Sequence, residues 1–249
     1  MDLLVGSLLL RPYVFLFLAA FLVAGVRDLG LGRTLCFGVI VWPIAWLAEF
    51  SSTRIGIPFG LYSYTGITRG QELYIADVPF FDALSFTFLA YAAFCLARGV
   101  LAGRPRPAAA TALLTGFLMM MLDVVIDPAA VRGERWFLGR IFYYAENGVY
   151  FGVPLSNFGG WWLVGTASIA AYMKCSRPLR AGGSGRIGTG IALYYTVLGF
   201  NLVVTAWIGE WGALAAGVAL HLVLAFVLLT VVRRAPVRGV LGTEGVQRA

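Results

Sequence analysis

The sequence predicts an all-α polytopic membrane bundle of about seven transmembrane helices, and three observations carry that expectation. Hydrophobic residues make up 60% of the 249-residue chain and charged ones 12%, with a mean hydropathy of +0.83. A soluble domain could not bury that much apolar surface and keep a wettable exterior. The apolar residues also fall into separate runs, each near the ~20 residues needed to cross about 30 Å of hydrocarbon. Finally, ten-residue segments of alternating polarity, the mark of a transmembrane barrel, are absent, so helices are left to satisfy the backbone in lipid.

In chain order the runs are 8–26, 34–51, 79–101, 107–127, 157–174, 188–208 and 211–232. The first run lies in MDLLVGSLLLRPYVFLFLAAFLVAG, which has neither a basic leader nor an AxA-type cleavage site and reads as a retained span. Two connections, 52–78 and 128–156, are long and rich in Gly, Pro and Tyr. An up-and-down bundle brings both out on one side. Within them GIPFG (56–60) and GVPL (152–155) form a weak internal echo, and Pro58 and Pro154 read as terminators of re-entrant turns. The segment RAGGSGRIGTG (180–190) reads as a flexible linker. Its Gly183, Gly185 and Gly188 match a dinucleotide fingerprint in spacing only, without the preceding strand or the following acid. The chain reads as a single transmembrane domain, 1–249, with a flexible basic tail at 233–249.

Eighteen Arg and one Lys face twelve acids, a formal charge of +7. The N-terminus and the loops after the second, fourth and sixth spans hold Arg11, Arg54, Arg69, Arg132, Arg135 and Arg140, while the opposite side holds the other thirteen. Basic loops favour the cytoplasmic face. The expected orientation in a bacterial inner membrane is therefore N-terminus outside and C-terminus cytoplasmic. No basic helix carries interleaved surface aromatics, so the expected partner is the lipid bilayer and no nucleic acid. Cys36, Cys95 and Cys175 are dispersed and His221 is the single histidine, so no metal site is expected. The cysteines and Met119–Met121 read as core filler, and His221 as a satisfied buried polar residue.

The stretch MMLDVVIDP, 120–128, raises the chemical question. Asp123 and Asp127 lie four residues apart, on one face of a helix, at the end of an apolar span. Charges at membrane depth are expensive and are retained for function. Glu49, Asp77 and Asp82 sit at other span ends, and Glu134 and Glu146 in the long loop that follows Asp127. In an up-and-down bundle these seven reach one membrane level. Like charges this close in low dielectric cannot all ionise, so at least one holds a proton. Glu72 is expected at the same level as a solvated loop residue, while Asp2, Asp28 and Glu244 are expected to be solvated in termini or short loops. Asn201 and Glu210 are expected to cap or pair. For Asp127 alone, a helix-end role beside Pro128 is the plainer alternative, and Arg–Asp pairs that tie loops to helix ends are the general one.

Aromatics gather at that level too, among them Trp46, Phe59, Tyr62, Tyr64, Tyr144, Tyr150, Phe151 and Trp161. Some belong to the usual interfacial belt. The excess suits a channel for a long, flat, apolar ligand, with ring faces that stabilise a developing carbocation.

Three motifs in order, EFSSTRIGIPFGLYSYT, DVVIDP and ENGVYFGVPLSNFGGW, resemble the membrane-embedded carotenoid biosynthesis family that includes bisanhydrobacterioruberin hydratase and γ-carotene 1',2'-hydratase. The resemblance covers roughly 42–165 and implies an acyclic polyene substrate ending in an isopropylidene group. Hydration there protonates carbon 2, leaves a tertiary cation at carbon 1, and lets water attack carbon 1. That reaction needs no cofactor. It does need an acid, a base and walls that admit one water. Asp123 and Asp127 are the first candidates for acid and base, then Glu49 and Glu146, then Asp77 and Asp82. Trp46, Phe59, Tyr62, Tyr64, Tyr144, Tyr150, Phe151, Asn157 and Trp161 are the candidate substrate contacts, and other membrane enzymes of the pathway are candidate partners. A cyclase of the same end group starts with the same protonation and remains an alternative, as does a non-enzymatic transporter, for which membrane carboxylates are equally typical.

Overall fold

A computed structural model describes residues 2–104, 107–176 and 186–233. The helices among them are α1 Leu3–Leu10, α2 Pro12–Leu29, α3 Leu31–Ile55, α4 Phe80–Val100, α5 Ala108–Ala130, α6 Leu155–Cys175, α7 Gly188–Trp207 and α8 Trp211–Arg233. Six of these, α2 to α5 with α7 and α8, are long and apolar enough to cross a membrane. The fold is an all-α membrane bundle. The fifth predicted span corresponds to α6, which has a full 21 residues; Asn157, Gly159, Gly160 and Gly165 dilute its hydropathy. The linker glycines Gly183 and Gly185, the tail at 234–249 and Glu244 lie outside the described residues.

The second to seventh predicted spans fall on α3 to α8 within a few residues, but the first does not survive as one helix. It breaks at Arg11, whose backbone (φ −124°, ψ 51°) leaves the helical region. Pro12 then occupies the first position of α2, where its missing N–H costs nothing. A second difference lies at Pro128, which does not end its helix. It sits inside the last turns of α5, which runs on to Ala130.

α4 forms the centre of the bundle, ringed by α2, α3, α5, α6 and α7. Its sequence, FFDALSFTFLAYAAFCLARGV, mixes small and aromatic residues and is buried almost all round, as a central helix requires. The ring is closed most tightly between α5 and α6. A Cβ on Gly165 would stand 2.9 Å from the Cα of Gly116, so these backbones cross with nothing between them. α8 packs outside α5 and α7.

The two long connections fold over one end of the bundle and pair with each other. β1 (Tyr62–Tyr64) and β4 (Phe142–Tyr144) run antiparallel, with Tyr62 opposite Tyr144, while β2 (Tyr74–Ile75) and β3 (Val78–Pro79) make a second small ribbon. The GIPFG and GVPL segments meet as well, since a Cβ on Gly60 would touch Pro154 and Ser156. Pro58 lies in the turn after α3, and Pro154 caps α6.

Two acids expected in water are buried instead. Glu72 is 1% exposed and accepts from Arg11 at both oxygens, 2.6 Å from Nε and 3.0 Å from Nη2. Arg11 also donates to Asp82 in the first turn of α4. The other is Asp28, whose side chain is buried against Arg98 at 2.5 Å at the opposite end of the bundle. Both corrections have one cause, a cation that cannot stay at this depth alone. Elsewhere Arg54 pairs with Asp77 at 2.9 Å, Arg132 with Glu210 at 3.1 Å, and Arg135 also with Glu210. These contacts tie loops to helix ends. His221 donates from Nδ1 to the Gly217 carbonyl at 3.0 Å, while its buried Nε2 lacks a hydrogen bond, so the expected satisfaction is only half met.

Arg11→Met strands Glu72 and Asp82 without their cation and is expected to cost about 3–5 kcal/mol. Thermal unfolding in detergent measures it, and adding Glu72→Gln should recover part of the loss.

Candidate functional site

The roof of paired loops and the ends of six helices line a partly open cavity of about 140 Å³. Its walls come from the starts of α2, α4 and α6 and from the ends of α3, α5 and α7. That alternation is what an antiparallel bundle delivers at one face. The apolar walls are mainly rings. Trp161 stacks on Phe86 with centroids 4.3 Å apart, and Phe59 leans on both, at 6.2 Å from Trp161 and 5.9 Å from Phe86. Gly160 permits this, because a Cβ there would lie 2.6 Å from the Phe59 ring.

Two polar corners interrupt the aromatic wall. In the first, Asn157 of α6 donates to Asp123 Oδ2 at 2.6 Å and to Asp127 Oδ2 at 2.9 Å. The Tyr144 hydroxyl, in β4, donates to Asp127 Oδ2 at 2.9 Å. Asp127 faces the cavity, whereas Asp123 stands behind it, fully buried, with Oδ1 lacking a hydrogen bond. In the second corner Glu49 of α3 lines the cavity, and its buried Oε2 has no hydrogen bond. Its charged and polar neighbours are Asp82, Arg11 and Tyr64. The roof tyrosines stay protonated donors, because burial above all pushes the hydroxyls of Tyr62, Tyr64 and Tyr144 well above the usual range.

Of the sequence-predicted site residues, the structure brings Glu49, Asp82, Asp127, Phe59, Tyr62, Tyr64, Tyr144, Asn157 and Trp161 to this cavity. Asp123 joins through Asn157. The others lie elsewhere. Asp77 is on the outside with Arg54. Glu134 and Glu146 are exposed. Trp46 stacks on Phe50 and reaches the Ile75 carbonyl at 3.4 Å. Tyr150 and Phe151 pack on each other outside the cavity, Tyr150 against Phe158. Several wall residues were not among the sequence's site candidates: Arg11, Tyr13, Phe17, Ser85, Phe142 and Phe200. Arg11 had a signal, since it is a lone cation between two apolar runs.

A family model described as "Carotenoid biosynthesis protein" matches residues 10–224. The bisanhydrobacterioruberin hydratase of Haloarcula japonica is 30% identical over 175 residues, 69% of this chain and 57% of that relative. The chain thus matches little more than half of that relative's length. No solved structure matches it at a significant level.

Asn157→Leu removes the amide that both aspartates share. It is expected to lower stability by about 1–3 kcal/mol, and Tyr144→Phe by roughly 1 kcal/mol, in thermal unfolding of the purified protein.

Proposed function

This chain belongs to the carotenoid biosynthesis protein family, and on that footing we propose that it is a carotenoid hydratase, adding water across the terminal double bond of an acyclic end group. One observation carries the reading. Two carboxylates from different helices, Glu49 and Asp127, face a single aromatic-walled cavity at one depth. The 30% identity to a hydratase supports it.

The roles follow from the hydrogen bonds. Glu49 lines the cavity and its buried Oε2 has no hydrogen-bond partner, which suits it to hand a proton to carbon 2 of the isopropylidene end. The tertiary cation left at carbon 1 lies among ring faces such as Trp161 and Phe86, whose quadrupoles favour positive charge. Asp127, whose Oδ2 already accepts from Tyr144 and Asn157, is suited to accept. A water beside it attacks carbon 1 and gives up a proton to the Asp127 carboxylate, leaving a tertiary alcohol. Proton return from Asp127 to Glu49 through cavity water restores the start, so one water is consumed and the sum requires no redox partner. Asp123, shut off from the cavity, acts by holding Asn157. The smaller share of arginines on this side supports its facing away from the cytoplasm, in a bacterial inner membrane.

Expression in a lycopene-producing host, with pigments analysed by liquid chromatography and mass spectrometry, tests the reading. The expected product is more polar and heavier by one water. Glu49→Gln and Asp127→Asn should each reduce it by about 10²–10⁴-fold, the usual worth of a general acid or base, while the protein still purifies folded. An isomer of unchanged mass and altered absorption would mean cyclisation and overturn it.

A further inference from the structure

The cavity is too small for the molecule it is proposed to act on. One water needs roughly 10–15 Å³ of such space, so about 140 Å³ admits on the order of ten non-hydrogen atoms. That is an isopropylidene end with a neighbouring unit and one water. A carotenoid has several times as many carbons, so its polyene must lie outside.

The walls differ in how they could let it pass. Between α5 and α6 the backbones touch at Gly116 and Gly165, and Asn157 binds across to both aspartates. Across the roof, β1 and β4 are hydrogen-bonded. The seam between α2 and α7 is made otherwise. Tyr13 of α2 stacks on Phe200 of α7, with centroids 5.5 Å apart and planes 16° apart, and Phe17 meets Phe200 edge-on at 5.6 Å. All three line the cavity. Outside them Phe137 of the roof loop packs edge-on against Tyr13 at 5.2 Å and is 37% exposed. Among the described residues no hydrogen bond or ion pair joins α2 to α7. The boundary here is wholly apolar, with these rings beside Val14 and Val197, and flat rings can be exchanged for a flat conjugated chain with little loss of contact.

We propose that the site takes in only the acyclic end group and that the polyene passes out between α2 and α7, past Tyr13 and Phe200 and beneath Phe137, into the lipid. This rests on the hydratase reading. The end group is then read by the cavity and the chain length by nothing. A substrate with two acyclic ends must withdraw and re-enter to react twice.

Two measurements test this. The wild-type protein in lipid vesicles is given acyclic polyenes of thirty, forty and fifty carbons with the same end group, and kcat/KM is expected to agree within about tenfold. In a variant with Cys36 and Cys175 replaced by alanine (Cys95 is buried), Phe137→Cys is labelled with a bulky maleimide. Labelling should cut hydration at least tenfold relative to the same protein unlabelled. The same label on Tyr143→Cys, which is 44% exposed on β4 and does not line the cavity, should leave hydration unchanged. A hundredfold preference for one chain length, or full activity with Phe137→Cys labelled, overturns the proposal while leaving the hydratase reading intact. If unlabelled Phe137→Cys is already inactive, the length series decides alone. Hydration of none of the three by the wild type removes the reading of the site and this route with it.

Discussion

An arginine that cannot be left alone at membrane depth organises this end of the molecule. Burying an ion costs several kcal/mol unless its attraction and hydrogen bonds are nearly complete. Arg11 meets that demand by taking Glu72 from a loop and Asp82 from the first turn of α4. The break between α1 and α2 is what turns its side chain inward. Once the pairs are made, the loop before α4 is drawn over the bundle and the start of α2 is fixed against α4. Glu49 inherits the resulting surroundings: a triad with one more negative group than positive on one side and the tyrosine roof on the other.

Much of this was legible in the sequence. The helices from α3 to α8 were, because twenty apolar residues in a row have few alternatives in lipid. So was the shared level of Glu49, Asp82, Asp123 and Asp127, because an alternating path returns to the same face at every second loop. What could not be read were contacts between distant parts of the chain. Nothing local says that Tyr62 pairs with Tyr144, that Asn157 stands between two aspartates thirty or so residues earlier, or that Phe200 rather than Tyr195 faces inward. Glu72 and Asp28 were misjudged for a related reason. A loop acid is assumed wet until a buried cation is found to claim it, and both cations, Arg11 and Arg98, sit at helix ends far away in sequence. Glu146 and Asp77 show the opposite error, in which proximity to a motif or a span end was taken for proximity to a site.

The two ends of the bundle divide their labour. At the end away from the roof, Asp28 and Arg98 join α2 to α4, with the Tyr91 hydroxyl 3.4 Å from the same Asp28 oxygen. Phe37 there sits among Phe21, Tyr91, Phe94 and Tyr172. That packing leaves little room for adjustment. At the other end the same helices diverge around a cavity with polar atoms on two sides, including carboxyl oxygens that lack a protein partner. Rigidity in one half lets the other keep open space without collapsing onto it.

The pairing of β1 with β4 bears on how the chain is made. β1 is synthesised directly after α3, but its partner follows only after α4 and α5 have been delivered to the membrane. Until then Tyr62 and Tyr64 have no strand to meet, and the acids beneath them stand open to water. The chamber therefore comes into being late, after the loop before α6 has emerged and α6 and α7 have supplied its remaining walls. A ribosome stalled between those two points would hold a set of membrane helices without an enclosed interior.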